Sequence, residues 1–167
     1  MDHLRGLVPY TYWPWVFFTG YQAMFPQGIE TFQAFVPQQA ASSTFRELLS
    51  YSQQQHCLPL WCVIKKHRRD PFLLSYQVDG FSLELNYAVG IQPAQHLQQV
   101  LQHMIAMAIS AGGRFYLAKD HFLTPAQYRQ SMGEQVVETF LQLKQQLDPE
   151  MRLRSDLFRR LFQPAQP

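Results

Sequence analysis

The sequence predicts an α+β fold: an antiparallel sheet with ferredoxin-like connectivity, covered on one face by two helices and followed by further C-terminal helices. Three observations carry this expectation. Apolar and polar residues alternate along Phe81, Leu83, Leu85, Tyr87 and Ser82, Glu84, Asn86, Ala88, as in a strand with one buried face. Leu97, Val100, Leu101, Met104, Ile105 and Ala108 keep the spacing of a buried helix stripe. The order of segments reads strand, helix, strand, hairpin, helix, strand.

Taken in order, residues 31–37 form the first strand, because β-branched and aromatic residues follow a turn at Gly28. A helix then opens at Ser42-Ser43-Thr44, with Thr44 and Glu47 spaced as a capping box, and runs to about Gln54. Residues 58–66 make the second strand, ending in the cluster Lys65-Lys66-His67-Arg68-Arg69. Residues 72–78 and 81–89 read as two strands joined by a tight turn at Asp79-Gly80. Pro93 starts the long helix, Gly112-Gly113 stops it, and residues 114–118 form the next strand. Thr124-Pro125 is an N-cap and first-turn pair for a short helix. Residues 134–147 form another, with Val136, Val137, Phe140, Leu143 and Leu147 expected to be buried before Asp148-Pro149 ends it. The chain divides into an aromatic-rich segment (1–27), the α+β region (28–120) and a helical segment (121–167).

Composition narrows the function classes. A chain of 167 residues that is 47% hydrophobic and 14% aromatic has enough to bury for one stable domain. Its net charge of +2, with 16% charged residues, gives no electrostatic case for nucleic acid. The aromatic run before residue 27 is broken by Pro9, Pro14 and Pro26, so no transmembrane or secretory segment is expected and the default location is cytoplasmic. Cys57 and Cys62 have no histidines at metal-ligand spacing and read as ordinary thiols, with no metal site. His67, His103 and His121 share no spacing with carboxylates and receive no acid/base assignment.

The run Gly112-Gly113-Arg114-Phe115-Tyr116-Leu117-Ala118-Lys119-Asp120 is followed by Leu147-Asp148-Pro149 and by Ser155-Asp156-Leu157-Phe158-Arg159-Arg160-Leu161. Together they resemble the C-terminal end of FAD-linked oxidoreductases of the vanillyl-alcohol-oxidase superfamily, in the branch that contains decaprenylphosphoryl-β-D-ribose 2′-oxidase. The resemblance spans roughly residues 12–161 and corresponds to the second half of that family's substrate domain. It implies catalytic and flavin-facing roles for Tyr116 and Lys119, and substrate contacts from Gln33 and from Lys65, with Lys66 an equal choice of register. Pocket-bordering positions fall on Tyr12 and Trp15, where the family's acidic residue is replaced by Val16. The polar positions of the hairpin strand fall on Ser82, Glu84 and Asn86, and a glutamate there departs from the family.

The chemistry the resemblance implies is oxidation of an alcohol, of which a sugar-like one is an instance, with hydride transfer to FAD. A fixed cation about 4 Å from the flavin's anionic edge gains about 4 kcal/mol at an effective dielectric near 20, before desolvation. Lys119 is the candidate, although Lys-Asp after a strand otherwise reads as a solvated turn. Gln33, flanked by Phe32 and Phe35, could instead satisfy sheet backbone, and Arg159-Arg160 is expected to pair with Asp156 or cap the preceding helix. The dispersed glycines offer no cradle for a pyrophosphate, so tight FAD binding is expected to need an FAD-binding domain or subunit as partner. Three readings follow: the substrate-domain part of a flavin oxidoreductase, a truncated non-catalytic relative acting as a ligand- or protein-binding module, or a ferredoxin-like scaffold that contacts a protein through its aromatic N-terminus.

Overall fold

A computed structural model of the chain describes residues 23–163. Tyr12 and Trp15 lie outside the described residues. Among the described residues, four strands and five helices follow one another as β1 (Ile29–Pro37), α1 (Gln38–Gln54), β2 (Trp61–His67), β3 (Gly80–Ala88), α2 (Ala94–Ser110), β4 (Arg114–Phe115), α3 (Pro125–Met132), α4 (Glu134–Leu147) and α5 (Asp156–Phe162). The sheet is antiparallel in the order β2-β3-β1-β4, the ferredoxin-like arrangement that the segment order predicts. Among the described residues no helix is long and apolar enough to cross a membrane.

The period-2 pattern of β1 and β3 sends alternate residues to opposite faces. Phe32, Ala34, Val36, Leu83, Leu85 and Tyr87 enter the core under α1 and α2. There they meet Leu48 of α1 and Leu97, Val100, Leu101, Met104, Ile105 and Ala108 of α2, all buried as their spacing predicts. The helices leave β2 uncovered on this side, so Ile64 stays exposed. Helix α2 ends in a Schellman motif: Gly113 N–H donates to Ala108 O at 2.8 Å and Gly112 N–H to Ile109 O at 2.9 Å. Gly112 has φ +74°, which explains glycine there.

Six expectations need correction. Helix α1 begins at Gln38, immediately after β1, and not at Ser42. Pro37 makes the turn, Gln38 N–H is satisfied by Asp79 O at 3.1 Å, and the Thr44 and Ser43 hydroxyls lie inside the helix, Ser43 bonding back to Ala40 O. Residues 72–78 are no strand. Asp70 Oδ1 accepts Phe72 N–H and Ser75 Oγ accepts Gln77 N–H, each at 3.0 Å, and these local bonds hold turns in place of a ladder. Gly80 is consequently the first residue of β3, paired with both Pro37 and His67, and no hairpin turn sits there.

The remaining corrections concern β2 and the chain after α2. Strand β4 has two residues, because the backbone closes a tight turn in which Lys119 N–H donates to Tyr116 O at 2.9 Å. Helix α4 has the predicted limits, yet Leu143 and Leu147 are exposed. Phe140 packs on Phe162 and the Lys144 ammonium lies over the Phe158 ring, so that line of α4 faces α5; Leu143 lies to one side of it and Leu147 is the last residue of the helix. Strand β2 spans Trp61–His67, displaced from the expected 58–66 toward the basic cluster. Helix α3 carries the predicted cap, Thr124 Oγ1 accepting Gln127 N–H while Gln127 Oε1 accepts Thr124 N–H.

Candidate functional site

The second face of the sheet carries Thr31, Gln33 and Phe35 from β1 and Ser82, Glu84 and Asn86 from β3. The register places Gln33 opposite Glu84 and Thr31 opposite Asn86. Across the other side of β3, Lys65 lies opposite Ser82 and Val63 opposite Glu84. This face divides into two regions. At one end Phe35 packs against the His67 and Tyr76 rings, both at 4.7 Å, and Tyr76 packs edge-on against Tyr116 at 4.8 Å. Toward the other end the side chains are polar, and Gln33, Glu84 and Asn86 are buried, as is Ser82, which lies opposite Phe35.

Lys119 reaches the polar region from the turn that follows β4. Its Nζ lies 2.8 Å from Glu84 Oε2, and Lys65 Nζ lies 3.6 Å from the same oxygen. The two ammonium groups are what stabilise Glu84 Oε2, Lys119 from hydrogen-bonding distance and Lys65 from further off. Asn86 Nδ2 donates to Glu84 Oε1 at 3.3 Å, and Thr31 Oγ1 donates to Asn86 Oδ1 at 2.8 Å. Burial pushes the Glu84 carboxyl up, but the Lys119 ammonium and the Asn86 amide, with the Lys65 charge, outweigh it and hold the group below the usual carboxylate range. Glu84 is therefore an anion at neutral pH, flanked by two cations of which each is more exposed than itself.

Beside this cluster, His67 Nε2 and Ser82 Oγ are 2.9 Å apart. Burial, and then the Lys65 charge, lower the His67 pKa and favour the neutral ring. The turn holding Lys119 is fixed from behind. Asp120 accepts the N–H groups of Phe122 and Leu123, and Arg160 of α5 donates from both terminal nitrogens to Asp120 Oδ2 at 3.1 Å, reaching the Asp120 and Leu123 carbonyls as well. Arg159 takes the expected partner, Asp156, while Arg160 does not.

Of the residues singled out from sequence, Gln33, Lys65, Ser82, Glu84 and Lys119 share this face, and Lys65 rather than Lys66 is the register that meets Glu84. Tyr116 joins through Tyr76. Thr31, His67 and Tyr76 were not singled out. Thr31 was readable, since it shares the parity of Gln33; Tyr76 was hidden by the expectation of a strand. The glycine pair is spent on capping α2, so its N–H groups are unavailable to a phosphate. Among the described residues, no three of His, Cys, Asp and Glu gather as metal ligands. Compared with known proteins, the sequence matches no family model and no curated protein.

Proposed function

We propose that the polar sheet face is the substrate-facing wall of an FAD-linked oxidoreductase acting on an alcohol with a sugar-like hydroxyl pattern, and that an FAD-binding domain or subunit completes it in the cytoplasm. The observation that carries this reading is the arrival of Lys119 beside Glu84, directly across from Gln33. Residues from three separate stretches of chain thereby share one polar surface. When bound, FAD supplies the hydride acceptor.

The chain's own residues supply recognition and charge. Gln33, Asn86 and Thr31 offer amide and hydroxyl groups suited to a polyol. Two ammonium groups and one carboxylate leave the cluster with an excess of one positive charge, which favours an oxygen that gains electron density. The Tyr76 and Tyr116 rings form an apolar boundary next to it. These groups fit the ring side of a flavin and its substrate, not the pyrophosphate. Leu143 and Leu147, exposed on α4, offer the FAD-binding unit a surface to pack against.

The test is anaerobic reduction of the flavin in the assembled protein by a panel of sugar alcohols, with wild type and Lys119→Met. Substrate-dependent bleaching that slows in the variant supports the reading. A non-catalytic binding module is the second reading, favoured by the close neutralisation of Lys119 by Glu84. It predicts polyol binding with no bleaching.

A further inference from the structure

Away from the polar face, the loop of residues 68–79 closes over the end of β1 and leaves a cavity of about 260 Å³ lined by Pro37, Gln39, Arg69, Gln77, Asp79 and Arg114. Arg114 is half-buried there, and its Nη1 donates to Ser75 O at 2.8 Å. Arg69 enters from the loop, its backbone N–H donating to Asp79 Oδ1 at 3.0 Å. Among the described residues neither guanidinium has a carboxylate within ion-pair distance. Burial, and after it the nearby Arg69 charge, disfavour the charged form of Arg114, and the nearby Asp70 carboxylate only partly offsets them. Two guanidinium groups thus share one concavity with the Asp79 carboxylate on its rim, while the Asp70 carboxylate acts on Arg114 from beyond ion-pair distance, so neither guanidinium is bound to a carboxylate.

We propose that this cavity is a binding site for a phosphate group, held between Arg69 and Arg114. Planar guanidinium donors match tetrahedral oxyanions, and charge-assisted bonds of this kind are the strong ones. Gln39 and Gln77 supply neutral donors at the rim. Asp79 is the carboxylate in the cavity lining and opposes an anion, which gives the site a sign that mutation can read.

The experiment is calorimetric titration of the full chain with inorganic phosphate and, separately, with glycerol phosphate, at fixed ionic strength. Saturable binding of one phosphate is expected. Arg69→Gln should weaken it roughly tenfold or more, and Asp79→Asn, which retains an acceptor for Arg69 N–H, should tighten it. Arg154→Gln removes an exposed arginine elsewhere and should leave it unchanged. Tighter binding of glycerol phosphate marks a phosphomonoester ligand, and tighter binding of inorganic phosphate marks the free ion. No saturable binding to wild type, or equal weakening by Arg69→Gln and Arg154→Gln, overturns the proposal.

Discussion

Lys119 Nζ and Glu84 Oε2 stand 2.8 Å apart, joining the turn after β4 to the middle of β3 across the width of β1. Glu84 is nearly enclosed, whereas about a third of the Lys119 side chain meets solvent. Removing the carboxylate leaves two ammonium groups facing one another with no anion between them. Glu84→Gln should cost about 1–3 kcal/mol in urea unfolding. Adding Lys119→Met should recover part of that loss, and strict additivity of the two would show that they do not interact.

Acid should act on the same carboxylate. The folded-state pKa of Glu84 is depressed, so its contribution is fully present above the unfolded value near 4.5 and is lost as pH falls through the lower folded value. Wild type should therefore lose stability below about pH 4.5 with a steeper slope than Glu84→Gln. Parallel curves for the two proteins would contradict this.

Gly80 sits where β1 turns into α1. A Cβ there would overlap Val36 O and come within 2.8 Å of Gln38 N, both backbone atoms that cannot rotate away. Gly80→Ala should destabilise by about 1–3 kcal/mol, as overpacking does. Gly28→Ala meets no atoms but needs φ +92°, so its cost should come from the backbone alone. Equilibrium unfolding of both variants, compared with wild type, checks the pair.

Arg160 anchors the turn that carries Lys119 through four bonds to Asp120 and Leu123. Arg160→Lys keeps the charge but loses the fork. Exchange of the Lys119 and Phe122 amide protons should accelerate in this variant, with the amides of α2 unaffected. Equal protection in both proteins would mean that α5 does not hold the turn.

Elements with long, regular periodicity were legible from sequence: the alternation in β3, the stripe of α2 and the limits of α4 all match the structure. What failed was decided by contacts that no periodicity encodes. Asp70 and Ser75 capture local N–H groups and abolish a strand, while Pro37 turns β1 into α1, which begins four residues ahead of the expected start at Ser42. The polar positions of the site were legible for the same reason as β3 itself. The Lys119–Glu84 pair and the Asp120–Arg160 fork join residues 35 and 40 apart, and nothing in either segment announces its partner.

Flavin reduction in the assembled protein tests the central claim most directly, since it asks whether Lys119 acts on the reacting centre or only steadies the sheet. The account predicts that Lys119→Met, folded as judged by its melting curve, reduces flavin at least about tenfold more slowly than wild type at saturating alcohol. Equal reduction rates, or an assembled protein that carries no flavin, would contradict it.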